Sequence, residues 1–176
     1  MKDAERKLKK LLCRAYSGEM AAALAYRGHW KSLKIREEIK AVRQIEIDEW
    51  RHREEIAEVL AELKTKPSFF REALMFSIGR FISFSCFFTG RFVSTYFAGV
   101  LESSNVKEYS EAEKLAGELD LSGFCEKFAE MGKTELRHEQ ILLEMISEHR
   151  LLPHFSFIFG WGKSEGFGSR RQNVKF

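Results

Sequence analysis

The chain is almost free of proline: Pro67 and Pro153 are the only two in 176 residues. Long helices therefore run uninterrupted, since an internal proline removes a hydrogen bond and clashes with the preceding turn. Cysteine is scarce too. Cys13, Cys86 and Cys125 show no paired spacing, which excludes a disulfide framework and a Cys-x-x-Cys iron centre. Cys13 and Cys125 lie among apolar neighbours and are expected as buried free thiols in a reducing, cytoplasmic setting. Neither sign of charge dominates. With 29 Lys and Arg against 26 Asp and Glu the net charge is +3, so no nucleic-acid partner is expected. Long uncharged runs are missing as well. Phe69 to Val100 holds nine phenylalanines, with Arg71, Glu72, Arg80 and Arg91 as its only charges. A membrane span needs about 20 consecutive apolar residues, whereas only ten, Phe81 to Gly90, separate Arg80 from Arg91. This count predicts a segment that does not span. The charged N-terminus carries no apolar stretch of the kind a secretory signal requires.

What the chain does have is helical periodicity, with a defect repeated in every seam. One apolar stripe reads Leu8, Leu12, Ala15, Glu19, Ala22, Tyr26; the next reads Ile35, Ile39, Val42, Ile45, Glu49, His52, Ile56, Val59, Leu63. A third reads Phe88, Phe92, Thr95, Gly99, Glu102, Val106, Tyr109, and a fourth Phe124, Phe128, Met131, Glu135, His138, Leu142, Met145. Steps of three and four mark one face of a helix packed on others. The fold class is therefore all-α, a four-helix bundle, and each helix carries a glutamate where an apolar residue belongs. Two helices add a histidine three residues on, which puts carboxylate and imidazole on one face.

Bare carboxylates in a core cost several kcal/mol each. Two divalent cations remove that cost, and four Glu with two Glu-x-x-His pairs is the ligand set of dinuclear carboxylate bundles. The candidate metal ligands are Glu19, Glu49, His52, Glu102, Glu135 and His138. Oxygen and imidazole donors without thiolate suit two iron ions, with manganese as the alternative. The pattern is also duplicated. Glu19 precedes Glu49 by 30 residues and Glu102 precedes Glu135 by 33, while Tyr26 and Tyr109 each follow a glutamate by seven. The two tyrosines are candidate hydrogen-bond or redox partners of the site; the alternative is ordinary packing with a satisfied hydroxyl.

Along the chain, the first helix is expected to end near Trp30, with Ser32 capping the second, which runs to about Leu63. His29 has no partner glutamate in its seam and is read as structural or solvent-facing. Phe69 to Val100 has three readings: a crossover buried against the bundle, an amphipathic surface dipping into lipid with snorkelling arginines, or the wall of an apolar substrate channel. Helix three should reach about Tyr109, with Ala98 and Gly99 leaving room beside the metals for dioxygen or a ring. Glu111–Leu119 is expected as an exposed polar spacer. Helix four should open at Ser122-Gly123 and end near Arg150. The bundle is bounded at residues 1–153, and 154–176 form an aromatic, glycine-rich tail. His149 and His154 are left unassigned. The six basic residues between Lys2 and Arg14 read as a solvated helix face, or as a touch-down on anionic lipid or RNA.

Gly18-Glu19 with Tyr26 and Gly28, Glu49-x-x-His52, Glu102 with Tyr109, and Glu135-x-x-His138 together resemble the demethoxyubiquinone hydroxylase family of ferritin-like di-iron proteins, over about residues 12 to 150. The chain departs from that pattern at Glu108, where a histidine usually precedes the helix-three tyrosine. The resemblance implies that Glu19 and Glu102 are terminal ligands, that Glu49 and Glu135 bridge two irons, and that His52 and His138 each cap one. It further implies an O2-dependent monooxygenase of ubiquinone biosynthesis, peripheral on the membrane, that hydroxylates a hydrophobic quinol-like substrate. An external electron donor is needed, because the chain has no flavin motif. Three readings compete: a rubrerythrin- or ferritin-like oxidase or peroxidase, a tRNA-modifying di-iron hydroxylase favoured only by the mild basic bias, and a metal-free helical scaffold whose core carboxylates are relics.

Overall fold

The computed structural model describes residues 2–162. Its described residues are helical almost throughout, in the order α1 (Lys2–Ser32), α2 (Arg36–Glu62), α3 (Phe69–Gly117), α4 (Ser122–Ile146) and α5 (Leu152–Phe159). The protein is all-α. α1 packs on α2 and α3, α3 packs on α4, and α2 meets α4 more lightly.

Local chemistry sets the ends. The turn after α1 is not capped by Ser32, whose hydroxyl donates back to the His29 carbonyl (2.7 Å). Ile35 holds the N-cap position without a side-chain bond. Buried Leu33 anchors this turn in the core instead, and Glu37 and Glu38 in the first turn of α2 suit the positive end of its dipole. α2 closes in a Schellman turn. Lys64 is left-handed (φ 50°), its N–H donates to Ala61, and the Thr65 N–H donates to Leu60. Pro67 then prevents continuation. α3 ends in the same way around Asp120 (φ 57°).

α3 fuses the expected crossover and third helix, and breaks between them at Gly90 (φ 76°, ψ 166°). Only glycine adopts that backbone readily. The first arm lies across α1 with backbone touching backbone. A Cβ on Gly28 would stand 2.0 Å from the Ser83 carbonyl oxygen, and one on Gly79 would stand 2.7 Å from that of Ala21. Arg53 and Arg91 tie this arm and the kink to the rest: Arg53 bonds Glu72 and the Tyr16 carbonyl, and Arg91 bonds Glu38 and the Met145 carbonyl. Phe88, placed in a core seam by periodicity, is 74% exposed, because its seam changes direction at Gly90.

Three apolar clusters make the core. One unites Leu8, Leu12, Ile56, Val59, Leu115, Phe128 and Met131; a second unites Ala22, Tyr26, Val42, Ile45 and Leu142; a third gathers Phe92, Tyr96, Ile146, Leu152 and Trp161. The first explains why Glu111–Leu119 is not an exposed spacer: Ala112, Leu115 and Ala116 are buried where α3 continues. α4 stops at Ile146, four residues short of Arg150. The tail is not separate from the bundle as far as it is described. α5 spans the expected boundary at 153, Gly160 caps it in a left-handed conformation, and Trp161 inserts into the third cluster. Arg170-Arg171 and the late glycines lie outside the described residues.

The thiols differ from expectation. Cys86 is the buried one, while Cys13 and Cys125 are half-buried.

Candidate metal centre

Between the first two apolar clusters the four long helices each turn a glutamate inward. Glu19 from α1, Glu49 and His52 from α2, Glu102 from α3, and Glu135 and His138 from α4 are all buried, four of them at 1% exposure or less. Their ligand atoms fall into two groups, each within 4.8 Å throughout: Glu19, Glu49, His52 and Glu135, and Glu49, Glu102, Glu135 and His138. Glu49 and Glu135 belong to both. All six candidate ligands picked from the seams therefore meet at one place.

The contacts obey an approximate two-fold relation. The Tyr26 hydroxyl of α1 donates to Glu102 of α3, and the Tyr109 hydroxyl of α3 donates to Glu19 of α1. His52 Nδ1 lies 2.7 Å from Glu135 Oε1. Its counterpart, His138 Nδ1, lies 3.4 Å from Glu49 Oε1. Antiparallel pairing of duplicated helix pairs produces this exchange, each tyrosine reaching the glutamate of the other half. Each tyrosine hydroxyl is satisfied by a buried carboxylate of the other half.

The duplication is not exact in its supports. His138 Nε2 faces Asp48 Oδ2 at 3.3 Å, which fixes the ring and turns Nδ1 to the centre. Asp48 precedes Glu49, and the residue preceding Glu135 is Thr134, whose hydroxyl instead donates to its own helix at Glu130. Neither nitrogen of His52 makes a hydrogen bond. Asn105 donates to Glu135 Oε2 at 3.3 Å. The seams contain neither Asp48 nor Asn105. Asp48 was visible only as an acid beside a core glutamate, and Asn105 had no signal.

The electrostatics are those of too many anions in a dry space. Burial drives Glu49 and Glu135 well above the ordinary carboxylate range, and the facing carboxylates add to it. Burial raises Glu19 to about 7, against the pull of the neighbouring Glu49 and the Tyr109 hydroxyl. Burial acts on Glu102 in the same sense, but the neighbouring Glu135 and His138 outweigh it and lower the pKa. Burial also pulls His52 down to about 4. For His138 burial acts the same way, but Asp48 and Glu102 outweigh it and carry it up to about 9. Left to itself, the protein can hold this cluster only by keeping protons on it. Eight side-chain atoms of the six residues are buried without a hydrogen bond: Glu19 Oε2, both oxygens of Glu49, both nitrogens of His52, Glu102 Oε2, Glu135 Oε1 and His138 Nδ1. Unmatched acceptors converging from four helices fit cations, and the donor set of carboxylate and imidazole can hold a metal ion.

No family model, curated protein or solved structure matches this chain. The site must therefore be read from its own residues.

Two cavities lie beside it, the smaller lined by Glu19 itself and the larger by Tyr26. The larger, about 380 Å³, is lined by Ala25, Tyr26, His29, Ile82, Cys86, Val93, Phe97 and Ala98 among others, and opens between α1 and the kink of α3. The smaller, about 180 Å³, ends on Glu19 and Tyr109. His29 is buried rather than solvent-facing, with Nε2 3.1 Å from the Thr95 hydroxyl and its ring stacked on Tyr26. Ala98 does border open space. Gly99 does not: its missing side chain accommodates Trp161, whose ring would lie 2.1 Å from a Cβ there. Trp161 Nε1 donates to buried Glu139 at 2.8 Å.

α3 is long and apolar enough to cross a membrane by length and composition alone, although the sequence offered only ten residues between arginines; just 11% of its apolar window is buried. Its first arm exposes Phe69, Phe70, Phe81, Phe84 and Phe88, and α5 exposes Phe157 and Ile158. Phe97 links the two surfaces through its contact with Phe159 (5.2 Å between ring centres).

Proposed function

We propose that this protein is a di-iron monooxygenase that hydroxylates a quinone-like aromatic ring at a membrane surface. The observation that carries the reading is the pair of ligand groups sharing Glu49 and Glu135, with their unpaired buried atoms. In this reading Glu19, Glu49, His52 and Glu135 would hold one iron and Glu49, Glu102, Glu135 and His138 the other, with Glu49 and Glu135 shared, Glu19 and Glu102 as terminal ligands and one histidine for each metal; manganese would accept the same donors. When bound, the metals supply the reduced centre that uses O2 and two external electrons to place one oxygen atom on the ring and release the other as water.

The chain's own residues do the rest. Tyr26 and Tyr109 hold the terminal carboxylates by donating to them. Asp48 holds the imidazole of His138. The apolar walls of the larger cavity receive the ring beside Tyr26 and exclude water. The phenylalanine face of α3 and the tip of α5 lie on lipid, where a long-tailed substrate would be dissolved. Arg91 does not head for lipid, since Glu38 and the Met145 carbonyl claim it. A rubrerythrin- or ferritin-like oxidase would use the same metals, but it has no need of an apolar cavity or an exposed phenylalanine face.

Metal content and the optical spectrum of the aerobically purified protein test the reading. About two irons per chain are expected, with charge-transfer bands that bleach on reduction, and quinol precursors should then gain a hydroxyl group. Failure to bind iron, even when anaerobic protein is offered ferrous ion, leaves the helical scaffold.

A further inference from the structure

The two cavities differ in chemistry. The larger has no carboxylate among its lining residues. The smaller carries two carboxylates, Glu108 and Glu19, with Asn105, among apolar neighbours such as Ala15, Met75 and Leu101. Glu19 is 4% exposed. One of its oxygens accepts from Tyr109, and the other, Oε2, is buried without a partner. Gly18 also lines this cavity, where a Cβ would meet nothing within 4 Å. At the rim the Arg14 guanidinium lies 3.2 Å from Glu108, with side-chain exposures of 57% and 22%. A cavity of about 180 Å³ admits a partly hydrated ion, since a water needs only about 10–15 Å³ by a comparable measure.

We propose that the smaller cavity is the route by which divalent cations reach the buried carboxylates, with Glu108 as the transit ligand and Arg14 as the latch that holds it at the rim. This rests on the metal-binding reading above. A dication cannot cross an apolar wall at tolerable cost unless oxygen ligands replace its water. The smaller cavity offers two carboxylates, Glu108 and Glu19, whereas the larger offers only neutral groups such as the hydroxyls of Ser85, Thr89 and Ser94. Arg14 holds Glu108 in place but competes with the ion for it, so loading requires the pair to open. Cation and apolar substrate therefore reach one site through separate doors, and the centre can be loaded while the apolar mouth is covered.

Stopped-flow uptake of Co²⁺ by the metal-stripped full-length chain, followed by ligand-field absorbance, tests this. Glu108→Gln should slow uptake ~10-fold, the scale on which one well-placed charge alters association, and should leave the final metal content unchanged. Glu108→Asp should restore most of the rate, and Arg14→Gln should raise it. Raised salt should slow the wild type more than Glu108→Gln. Ala25→Phe, which narrows the larger cavity, should leave the rate alone. Circular dichroism of each variant excludes misfolding. Wild-type kinetics in Glu108→Gln, or slowing confined to Ala25→Phe, overturns the route. A wild type that binds no Co²⁺ at all is a different result: it removes the metal reading, and this route with it.

Discussion

Glu135 sits at 0% exposure between two histidines and a facing carboxylate, so its replacement separates a metal centre from a relic. Glu135→Ala should lose most of the bound iron, and the metal-free variant should melt higher than metal-free wild type because one buried, incompletely hydrogen-bonded carboxyl group has gone. Metal analysis and a thermal melt read both effects; retained iron would sink the assignment. Asp48→Asn keeps the shape but weakens the support of His138, and should reduce metal affinity roughly 10- to 100-fold in a chelator competition. His29 supplies a pH test away from the ligands. Burial holds its pKa at about 4 against 6.5 in the open chain. The folded state thus binds fewer protons, so the stability this contributes is complete above about pH 6.5 and is lost as the pH falls through about 4. The displacement is worth roughly 3 kcal/mol at most. Urea unfolding at pH 7.5 and 4.5 should show a smaller acid loss in His29→Gln than in wild type.

At the scale of elements, α3 decides the architecture. Gly90 has a backbone that other residues enter at a cost of roughly 1–3 kcal/mol. A Cβ there would meet nothing within 4 Å, so the cost in Gly90→Ala is conformational and not steric. The melting temperature should fall by about 2–4 °C per kcal/mol for a chain of this size, and an unchanged melt would show that the kink is not glycine-dependent. N-terminal to the break the arm lies across α1, where Gly28 and Gly79 allow the backbones to touch. The break also opens the larger cavity, whose walls come from both sides of the kink. The periodic pattern ran straight through residue 90. That is why Phe88 was assigned to a core seam it does not occupy.

At the scale of the molecule, a ligand-bearing core and an apolar outer face lie on one helix, α3, joined by the larger cavity. Changing Phe81, Phe84 and Phe88 together to serine should weaken sedimentation with liposomes by at least ~10-fold, given ~25 cal/mol per Å² of apolar surface withdrawn from water. Metal content should not change, since the three rings are 65% or more exposed. Equal sedimentation of the variant and wild type would leave the face without a lipid role.

Residue order alone specifies the helices, the inward glutamates and the Glu-x-x-His pairs, because a 3.6-residue period is local and a carboxylate in an apolar stripe shows without coordinates. The duplication is legible there too, including the tyrosines seven residues after Glu19 and Glu102. The fold is needed to show which half each tyrosine serves, that Asp48 supports His138 while His52 has no counterpart, and that Gly99 holds Trp161 and not a guest. Those facts depend on residues 22 to 90 positions apart being brought together. Helical period specifies a face, but the partner of that face is set by how the helices cross, and here one glycine in α3 fixes the crossing.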